Sequence, residues 1–198
     1  MANATIKETG LKSVTVDSKQ LEELLTGAST HAHKDETLPA LNAVRLWATG
    51  GKIYAAATDR YRLIEGVKDS EGDLDPVLIR LTDVKRIIAL AKGDKRKFSL
   101  PVSISAAGGL VSVAIGGDSL TISTWDANFP PYEHLFPAND ADPVAIPAIM
   151  FNPALFSDYA KIAGKGAPVG VRFYGENKPI QIELGDGWRA LLMPMRKR

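Results

Sequence analysis

The sequence predicts an α+β protein in which one unit, a strand followed by a helix and three more strands, occurs three times. Three observations lead to this prediction. Apolar residues recur at helical spacing at three places, short alternating runs precede and follow each helix, and glycine-containing turns separate the runs. The units, which we call the first, second and third half-repeats, occupy residues 13–67, 76–137 and 144–196. Two half-repeats side by side are expected to form one domain with its helices on one face of a sheet layer.

The first half-repeat opens with a strand at residues 13–16 and a helix that Asp17 or Ser18 caps. The apolar residues of this helix follow the spacing i, i+3, i+4, i+7, and they are Leu21, Leu24, Leu25 and Ala28. Gly27 lies inside the helix and weakens it. Three strands are predicted after it, at residues 44–48, 53–57 and 63–67.

The second half-repeat is predicted to have a strand at residues 77–80 and a helix that Thr82 or Asp83 caps. Its later strands are expected at residues 102–105, 110–115 and 119–124. The third half-repeat is predicted to begin with a strand at residues 144–149, followed by a helix that Asn152 caps. Its later strands are expected at residues 169–173, 180–184 and 188–192.

Length and composition limit the classes of protein that fit. The 198 residues give room for one large domain or two small ones. The absence of cysteine excludes disulfides, thiolate metal sites and a cysteine nucleophile. No apolar run approaches the ~20 residues that span a bilayer, and residues 1–12 lack the apolar stretch of a signal peptide. We therefore expect a cytoplasmic protein that does not bind membranes, with a flexible tail over residues 1–12.

The charge is distributed unevenly along the chain. The formal net charge is +1, so the whole chain is not an obvious nucleic-acid binder. Residues 75–100 carry seven basic and three acidic side chains, a local net charge of 7 − 3 = +4. Such a stripe is either a footprint for phosphate or a solvated helix face, and charge alone does not decide between the two.

Three segments carry a resemblance to a known family. Residues 57–63 read ATDRYRL, residues 126–137 read DANFPPYEHLFP, and residues 193–196 read MPMR. In this order and at these distances they resemble the bacterial replicative sliding clamp, the beta subunit of DNA polymerase III, and residues 38–42 also fit its pattern. The resemblance covers residues 13–196 and matches the middle domain of the family plus the final half of its last domain.

The chain also departs from the family. Arg60 and Tyr61 stand where the family usually has Gly and His, and Lys197 and Arg198 replace the terminal Leu. The family has six half-repeats, whereas this chain has three. The resemblance therefore implies an abbreviated and divergent sliding clamp, of a kind that a phage or plasmid would carry.

The resemblance implies a pocket that receives the short peptide motifs of DNA polymerases and clamp loaders. Carried over by motif, this pocket consists of Thr58, Arg60, Tyr61, Arg62, Leu63, Pro137, Leu191, Met193, Pro194, Met195 and Arg196. Apolar side chains form its floor, methionine adapts to varied ligands, and Arg62 and Arg196 bind backbone carbonyls or a carboxylate at its rim. Without the resemblance, the residues themselves favour Met193 and Met195 as core residues of an edge strand over a pocket.

The resemblance also implies that the helices line a hole through which double-stranded DNA passes. The residues expected to face DNA are Lys19, Lys85, Arg86, Lys92, Lys161 and Lys165. Contacts to phosphate alone make binding independent of DNA sequence and strongly dependent on salt. Residues 95–97, Lys-Arg-Lys, contact DNA near the rim or only solvate a loop.

Clamp rings resemble one another in having six domains, hence twelve half-repeats. Three half-repeats per chain then close a ring with four chains, since 4 × 3 = 12. We expect residues 13–137 to form a complete clamp-like domain and residues 144–198 to complete another with a second subunit. The first half-repeats of neighbouring chains would meet through sheet edges. This homo-oligomer is a tetramer with dihedral symmetry and two equivalent faces, and a trimer of two-domain chains is the alternative.

Two other classes of function remain to be weighed. An enzyme would need catalytic or metal-binding residues, and His31 and His33 with Asp35 and Glu36 nearby hint at a metal site. No third ligand stands at a diagnostic spacing, and no phosphate loop or nucleophile motif is present. We therefore expect no enzymatic activity, no metal and no cofactor. The other class is a clamp-derived regulator or decoy that binds clamp-motif peptides without encircling DNA.

Overall fold

The computed structural model describes residues 12–93, 98–138, 140–146, 148–185 and 187–195. Most of the predicted N-terminal tail therefore lies outside the described residues. The helices are α1 (Ser18–Ser29), α2 (Leu81–Lys92) and α3 (Pro153–Ala163), and a short 3-10 helix spans Glu133–Leu135. The strands are β1 (Ser13–Asp17), β2 (Ala43–Thr49), β3 (Lys52–Thr58), β4 (Arg62–Asp69), β5 (Glu71–Gly72), β6 (Leu74–Arg80), β7 (Pro101–Ala107), β8 (Leu110–Ile115), β9 (Asp118–Ser123), β10 (Gly170–Arg172), β11 (Ile180–Glu183) and β12 (Trp188–Leu192). None of the helices in the described ranges has the length and apolar character needed to cross a membrane.

The strands form two antiparallel sheets, which confirms the predicted α+β class. One sheet has the order β5-β1-β7-β8-β9, and the other has the order β10-β11-β12-β4-β3-β2-β6. The first two half-repeats exchange their opening strands, because β1 pairs with β7 of the second half-repeat and β6 pairs with β2 of the first. The two half-repeats therefore complete each other's sheets, and α1 packs against α2 above them.

One apolar core joins the first two half-repeats. The helical face predicted from the spacing is buried: Leu21, Leu24, Leu25 and Ala28 are all fully enclosed. They pack with inward-facing residues of both sheets in a single cluster. Burying one leucine side chain contributes ~1.5–3 kcal/mol, so this face is a major source of stability for residues 13–123.

The helix caps agree with the predictions at two of three places. Asp17 caps α1 by accepting hydrogen bonds from the N–H groups of Lys19 and Gln20, and Asn152 caps α3 through the N–H of Ala154. The cap predicted for α2 at Thr82 or Asp83 is wrong, since the helix begins at Leu81 without a side-chain cap. The reason is that β6 runs directly into α2, and the carbonyl of Asn42 accepts from the N–H of Leu81.

The third half-repeat joins the first through their last strands, β12 and β4. The register pairs Trp188 with Gly66 and Leu192 with Arg62, so the half-repeats lie in the spatial order second, first, third. The expectation that first half-repeats of neighbouring chains meet through sheet edges is therefore wrong, because β12 of the same chain occupies the outer edge of β4. Among the strands that close the three half-repeats, β4 and β12 pair with each other, whereas β9 of the second half-repeat has no strand on its outer edge in the described part of the chain.

The strand predicted at residues 144–149 is absent from the described residues of that span, 144–146 and 148–149. The carbonyl of Phe173 accepts a hydrogen bond from the N–H of Val144, and an isolated antiparallel bridge joins Met150 to Met195. A strand needs a neighbouring strand for its backbone hydrogen bonds. The third half-repeat, unlike the first two, has no other half-repeat exchanging an opening strand with it among the described residues.

Two glycines form the slot that holds Trp188 at the junction of β4 and β12. A Cβ atom on Gly27 would lie 2.3 Å from the indole of Trp188, and one on Gly66 would lie 2.4 Å from the same ring. The glycine inside α1 is therefore required by packing, since any larger residue would displace the indole.

We expect Gly27→Ala to lower the free energy of unfolding by ~1–3 kcal/mol, because the added methyl group overlaps the indole of Trp188. Helix propensity alone predicts the opposite, since alanine in a helix interior is favoured over glycine by ~1 kcal/mol. Urea unfolding followed by circular dichroism measures the change. In a Trp188→Leu background the same substitution should be neutral or stabilising. A stabilising effect in the unmodified chain would contradict this packing.

Candidate functional site

The turn between β3 and β4 is held by its own side chains. The hydroxyl of Thr58 donates to the carbonyl of Arg62 at 2.7 Å, and Asp59 Oδ1 accepts from the N–H groups of Tyr61 and Arg62, both at 3.0 Å. Arg60 has φ 79°, the one positive φ among the described non-glycine residues. The left-handed conformation explains why the sliding-clamp pattern has Gly here, and the chain keeps that conformation with an arginine.

Arg62 is the centre of a polar cluster between the first and third half-repeats. Its side chain, 7% exposed, forms ion pairs with Asp59 at 2.8 Å and with Asp158 of α3 at 2.6 Å. It also donates to the carbonyls of Leu155 and Thr30. Burial opposes the charge of Arg62, but the hydrogen bonds to Asp158 and Asp59 outweigh it and raise the pKa. Sequence reasoning placed Arg62 at the rim of the pocket as a group that binds backbone carbonyls or a carboxylate. In the structure, four of its five N–H groups donate to its own chain.

A second polar cluster lies further along β4, around Glu65. Glu65 is buried, accepts a hydrogen bond from the hydroxyl of Tyr132 and pairs with Arg189 of β12 at 2.7 Å. Burial and the carboxylate of Glu65 raise the pKa of Tyr132 far above its usual value. The guanidinium of Arg189 also stacks on the ring of Phe136 at 4.3 Å. This cluster fastens the segment after β9 to the same junction.

A cavity of about 170 Å³ opens at this junction. Its lining is mostly apolar and comes from β3, β4, β12 and the segments beside them: Leu41, Thr58, Arg60, Arg62, Leu63, Pro130, Pro131, Tyr132, Leu135, Pro179, Leu191 and Met193. Because an apolar cavity of ~150 Å³ holds a benzene molecule, this one has room for one large apolar side chain of a ligand.

Six of the predicted pocket residues line this cavity together: Thr58, Arg60, Arg62, Leu63, Leu191 and Met193. Four others do not line it, namely Tyr61, Pro137, Pro194 and Met195, and Arg196 lies outside the described residues. Tyr61 still contributes its backbone, since its carbonyl accepts from the N–H of Met193 at 2.8 Å. Met193 and Met195 are 38% and 54% exposed, which excludes a core position for either.

Sequence reasoning missed the other half of the lining. Tyr132, Pro130 and Pro131 belong to the segment that carried the resemblance, so the motif itself was a signal for them. Leu41 lies in the stretch 38–42 that also fits the pattern, whereas nothing local in the sequence points to Pro179, which comes from a separate loop. Both reach the cavity only because the strand register brings the loop before β2 and the loop before β11 to the same end of the sheet.

The six residues predicted to face DNA are all exposed. Lys19 lies on α1, three others lie on α2, Lys161 lies on α3, and Lys165 follows α3. Three of the six are paired with acidic residues: Arg86 with Asp83, Lys92 with Glu22, and Lys161 with Asp158. The Lys-Arg-Lys run at 95–97 lies outside the described residues.

His31 is a buried part of the junction. It is fully enclosed, its ring lies 4.8 Å from that of Tyr159, and its Nδ1 is 2.7 Å from the hydroxyl of Thr30. Because that hydroxyl donates to the carbonyl of Gly27, His31 is the donor to Thr30 and is a neutral Nδ1–H tautomer. Its Nε2 has no partner. Burial, followed by the nearby charge of Arg62, lowers the pKa of His31 to about 3.

The histidines do not form a metal centre in the described part of the chain. Across those residues, no group of three or more His, Cys, Asp and Glu side chains is placed to hold a metal ion. His33 accepts the N–H of Asp35 at its Nδ1, at 3.0 Å. The two histidines therefore differ in setting, since His31 is enclosed and His33 is half-buried.

Comparison of sequences relates the chain to sliding clamps. The chain is 30% identical over 124 residues to the beta sliding clamp of Micrococcus luteus, covering 62% of this chain and 40% of that protein. It is 31% identical over 150 residues to the beta sliding clamp of Streptomyces coelicolor, covering 72% of this chain and 39% of that protein. The chain thus spans about two fifths of the length of these curated relatives. No model of a known protein family matches it.

Comparison of structures gives the fold. The DNA polymerase III beta subunit of Thermotoga maritima superposes with a TM-score of 0.80 at 19% identity, covering 100% of this chain and 69% of that chain. A DNA polymerase sliding clamp from Pseudomonas aeruginosa gives a TM-score of 0.77 at 16% identity, covering 100% and 70%. The chain therefore has the sliding-clamp fold, and its predicted resemblance to the bacterial beta sliding clamp is confirmed.

The pKa of His31 makes stability depend on pH. In the unfolded chain a histidine binds a proton near pH ~6.5, whereas folded His31 does so only near pH 3. The unfolded state therefore binds more protons between these values, and His31 lowers the free energy of unfolding as the pH falls through this window, by up to ~1.4 kcal/mol per pH unit. Above pH ~6.5 this penalty disappears.

We expect His31→Leu to remove this contribution. The loss of stability between about pH 7.5 and about pH 4.5 should be smaller in the variant by about 2 kcal/mol. Urea unfolding of both proteins at the two pH values measures it. His33→Leu, the same substitution at a half-buried histidine two residues away, is the matched control for the change of side chain. Equal pH dependence in the unmodified chain and His31→Leu would contradict the assignment.

Proposed function

We propose that this chain is a DNA sliding clamp, a processivity factor that encircles duplex DNA and docks DNA polymerase and other partners through a peptide-binding pocket. The observation that carries the proposal is the apolar cavity at the β4–β12 junction, which six of the residues predicted for a peptide pocket line together. The sliding-clamp fold and the similarity to beta sliding clamps support the same conclusion.

The chemistry of the cavity suits a short peptide. Leu63, Leu191 and the ring of Tyr132 are buried and form a fixed apolar floor. Met193 stands at the mouth, 38% exposed, where an unbranched thioether side chain adapts to different ligands. Arg60 is exposed beside it and offers charged donors to a peptide carbonyl or carboxylate. Partners would include DNA polymerase and a clamp loader, each through a short motif.

The ring we propose contains four chains, with a trimer as the alternative. Within one chain, the β4–β12 pairing joins the last strands of two half-repeats. Strand β9 is the last strand of the second half-repeat, and its outer edge is open in the described part of the chain. A neighbour related by a two-fold axis would place its own β9 against it in antiparallel pairing. A second two-fold contact between third half-repeats would then alternate with this one, and both are isologous.

DNA binding is proposed to be electrostatic and independent of sequence. The three helices carry exposed basic residues, among them Lys19, Lys85 and Lys161, and phosphate contacts of this kind release counterions without reading bases. Ion pairs with Glu22, Asp83 and Asp158 hold several basic side chains close to their helices. Weak contacts of this type allow a ring to move along DNA. We propose no enzymatic activity for the chain.

Truncation of both methionines tests the pocket. We expect Met193→Ala with Met195→Ala to weaken binding of a fluorescent peptide that carries the clamp-binding motif of a replicative polymerase by at least ~10-fold, a loss of ~1.4 kcal/mol. Both side chains are exposed, so the variant should unfold at the same urea concentration as the unmodified chain. Leu110→Ala is the matched control, because it truncates a 46% exposed side chain on the other sheet. Unchanged peptide affinity in the double variant rejects the pocket.

Retention on DNA tests encirclement. Light scattering behind a size-exclusion column should give about 85 kDa for four chains of 21.3 kDa, or about 64 kDa for three. Protein mixed at high concentration with nicked circular DNA should stay bound to the circle in high salt, where electrostatic contacts are lost. It should dissociate once a restriction enzyme linearises the circle. A monomer that binds the peptide but is not retained would replace this proposal with the regulator that binds clamp-motif peptides without encircling DNA.

A further inference from the structure

We infer that two copies of this chain complete a domain between their third half-repeats, with residues 149–151 of each copy adding as a strand to the open edge of β10 in the other. The inference deepens the proposed function and rests on it for the ring, and the partner it names is a second copy of the chain. The argument starts from the way in which the first two half-repeats complete one another.

In the complete domain, the strand before each helix pairs with the strand after the other helix. Val14 lies four residues before the first residue of α1, and it pairs with Ile104 of β7. Val77 lies four residues before the first residue of α2, and it pairs with Leu46 of β2. The exchange is therefore the same in both directions, at the same register.

In the third half-repeat, β10 corresponds to β2 and β7, the strands that pair with an opening strand from the other half-repeat. In the described ranges, β10 has no such strand beside it. Val171 of β10 lies opposite Ile182 of β11, on the face that packs against the helix. Its counterparts are Leu46 in β2 and Ile104 in β7, which are both fully buried, whereas Val171 is 37% exposed. No strand lies against the outer edge of β10 anywhere in the described ranges.

The third half-repeat also has the segment that would act as the opening strand, residues 149–151, and one side of this segment is already paired. The carbonyl of Leu78, three residues before α2, accepts the N–H of Trp125, and Leu78 pairs on its other side with Arg45 of β2. The carbonyl of Met150, three residues before α3, accepts the N–H of Met195 in the same way. On its other side Met150 has no pairing strand in the part of the chain that the structure describes, and it is 50% exposed.

The helices show the same difference. At the eighth position, Leu25 of α1 is buried and Ile88 of α2 is half-buried, because these helices pack against each other, whereas Ala160 of α3 is exposed. At the fourth position, Leu21 is fully buried and Phe156 is only half-buried. The face of α3 that corresponds to the α1–α2 contact is therefore uncovered, and α3 of a second copy fits it by the same packing.

The internal exchange fixes the register of the new contact. Ile149 of one copy lies opposite Val171 of the other, and Phe151 lies opposite Val169, so that apolar side chains meet across the two-fold axis. At the end of the ladder Pro168 takes the place that Pro101 has in β7. The hydrogen bond from Val144 to Phe173 of the same chain is released when the strand of the second copy arrives.

Disulfide trapping tests this register. Because the chain has no cysteine, no native thiol competes with the introduced pair. Directly opposite residues of an antiparallel pair have Cα atoms ~4.5–5.5 Å apart, within the range for a disulfide. Co-expression of Ile149→Cys chains with Val171→Cys chains, followed by mild oxidation without DNA or peptide, should give a cross-linked dimer of about 43 kDa, twice 21.3 kDa, on a non-reducing gel. Neither single-cysteine chain alone should give it.

Replacing Ile149→Cys by Ala148→Cys is the matched control, since a shift of one residue turns the side chain to the opposite face of the strand. No dimer from the Ile149 and Val171 pair, or equal yields from the shifted pair, overturns the inference. The cross-link needs neither DNA nor peptide. A cross-linked protein that is not retained on circular DNA therefore rejects the proposed function alone, whereas a retained protein without the cross-link rejects this interface alone.

A helix variant tests the same contact without cysteines. Ala160→Glu places a charge on the uncovered face of α3 at an exposed position, so the chain should fold normally and its light-scattering mass should fall by half. Ala154→Glu is the control, because its counterparts Lys19 and Thr82 stay exposed in the complete domain. An unchanged mass for Ala160→Glu contradicts the helix contact.

Discussion

The backbone ladder between β4 and β12 is the interaction on which the rest of the site depends. Its hydrogen bonds join segments more than a hundred residues apart, pairing Arg62 with Leu192 and Gly66 with Trp188. Strand β4 follows the turn that begins at Thr58 directly, so the ladder sets that turn beside Met193 and opens the cavity between them. A slip of one residue would turn Leu63 and Leu191 out of the cavity floor.

The buried charges at this junction add specificity more than stability. Taking Arg62 and Asp158 out of water costs several kcal/mol per ion, by order of magnitude, and their attraction only offsets that cost when the geometry is good. Here four of the five N–H groups of Arg62 are used, by Asp59, Asp158 and two carbonyls. A displaced third half-repeat would leave these groups buried without partners, so the cluster penalises wrong registers of β12.

The sequence was sufficient for elements that depend on local periodicity and insufficient for those that depend on distant partners. The helices and most strands follow from spacing. Five of the six predicted cavity residues lie in two short motifs, and Leu191 lies two residues before the second motif. The prediction of a strand at residues 144–149 was wrong because an apolar alternating run does not reveal whether a neighbouring strand exists. Gly27 looked like a weak point of α1, since the indole that requires it comes from Trp188, far along the chain. Pro179 carries no local signal for the same reason.

The cavity is built within a single chain, from strands β3, β4 and β12 and the loops beside them. In the proposed clamp, the affinity of this cavity for a peptide would therefore be set by intramolecular folding and would not change with protein concentration, whereas closure of a ring would. A partner would then bind a subunit of the proposed ring before the ring has closed, and would remain bound while it opens. In the proposed ring of four, recruitment and assembly become independent equilibria, so a cell could load polymerase onto free subunits and deliver both to DNA together.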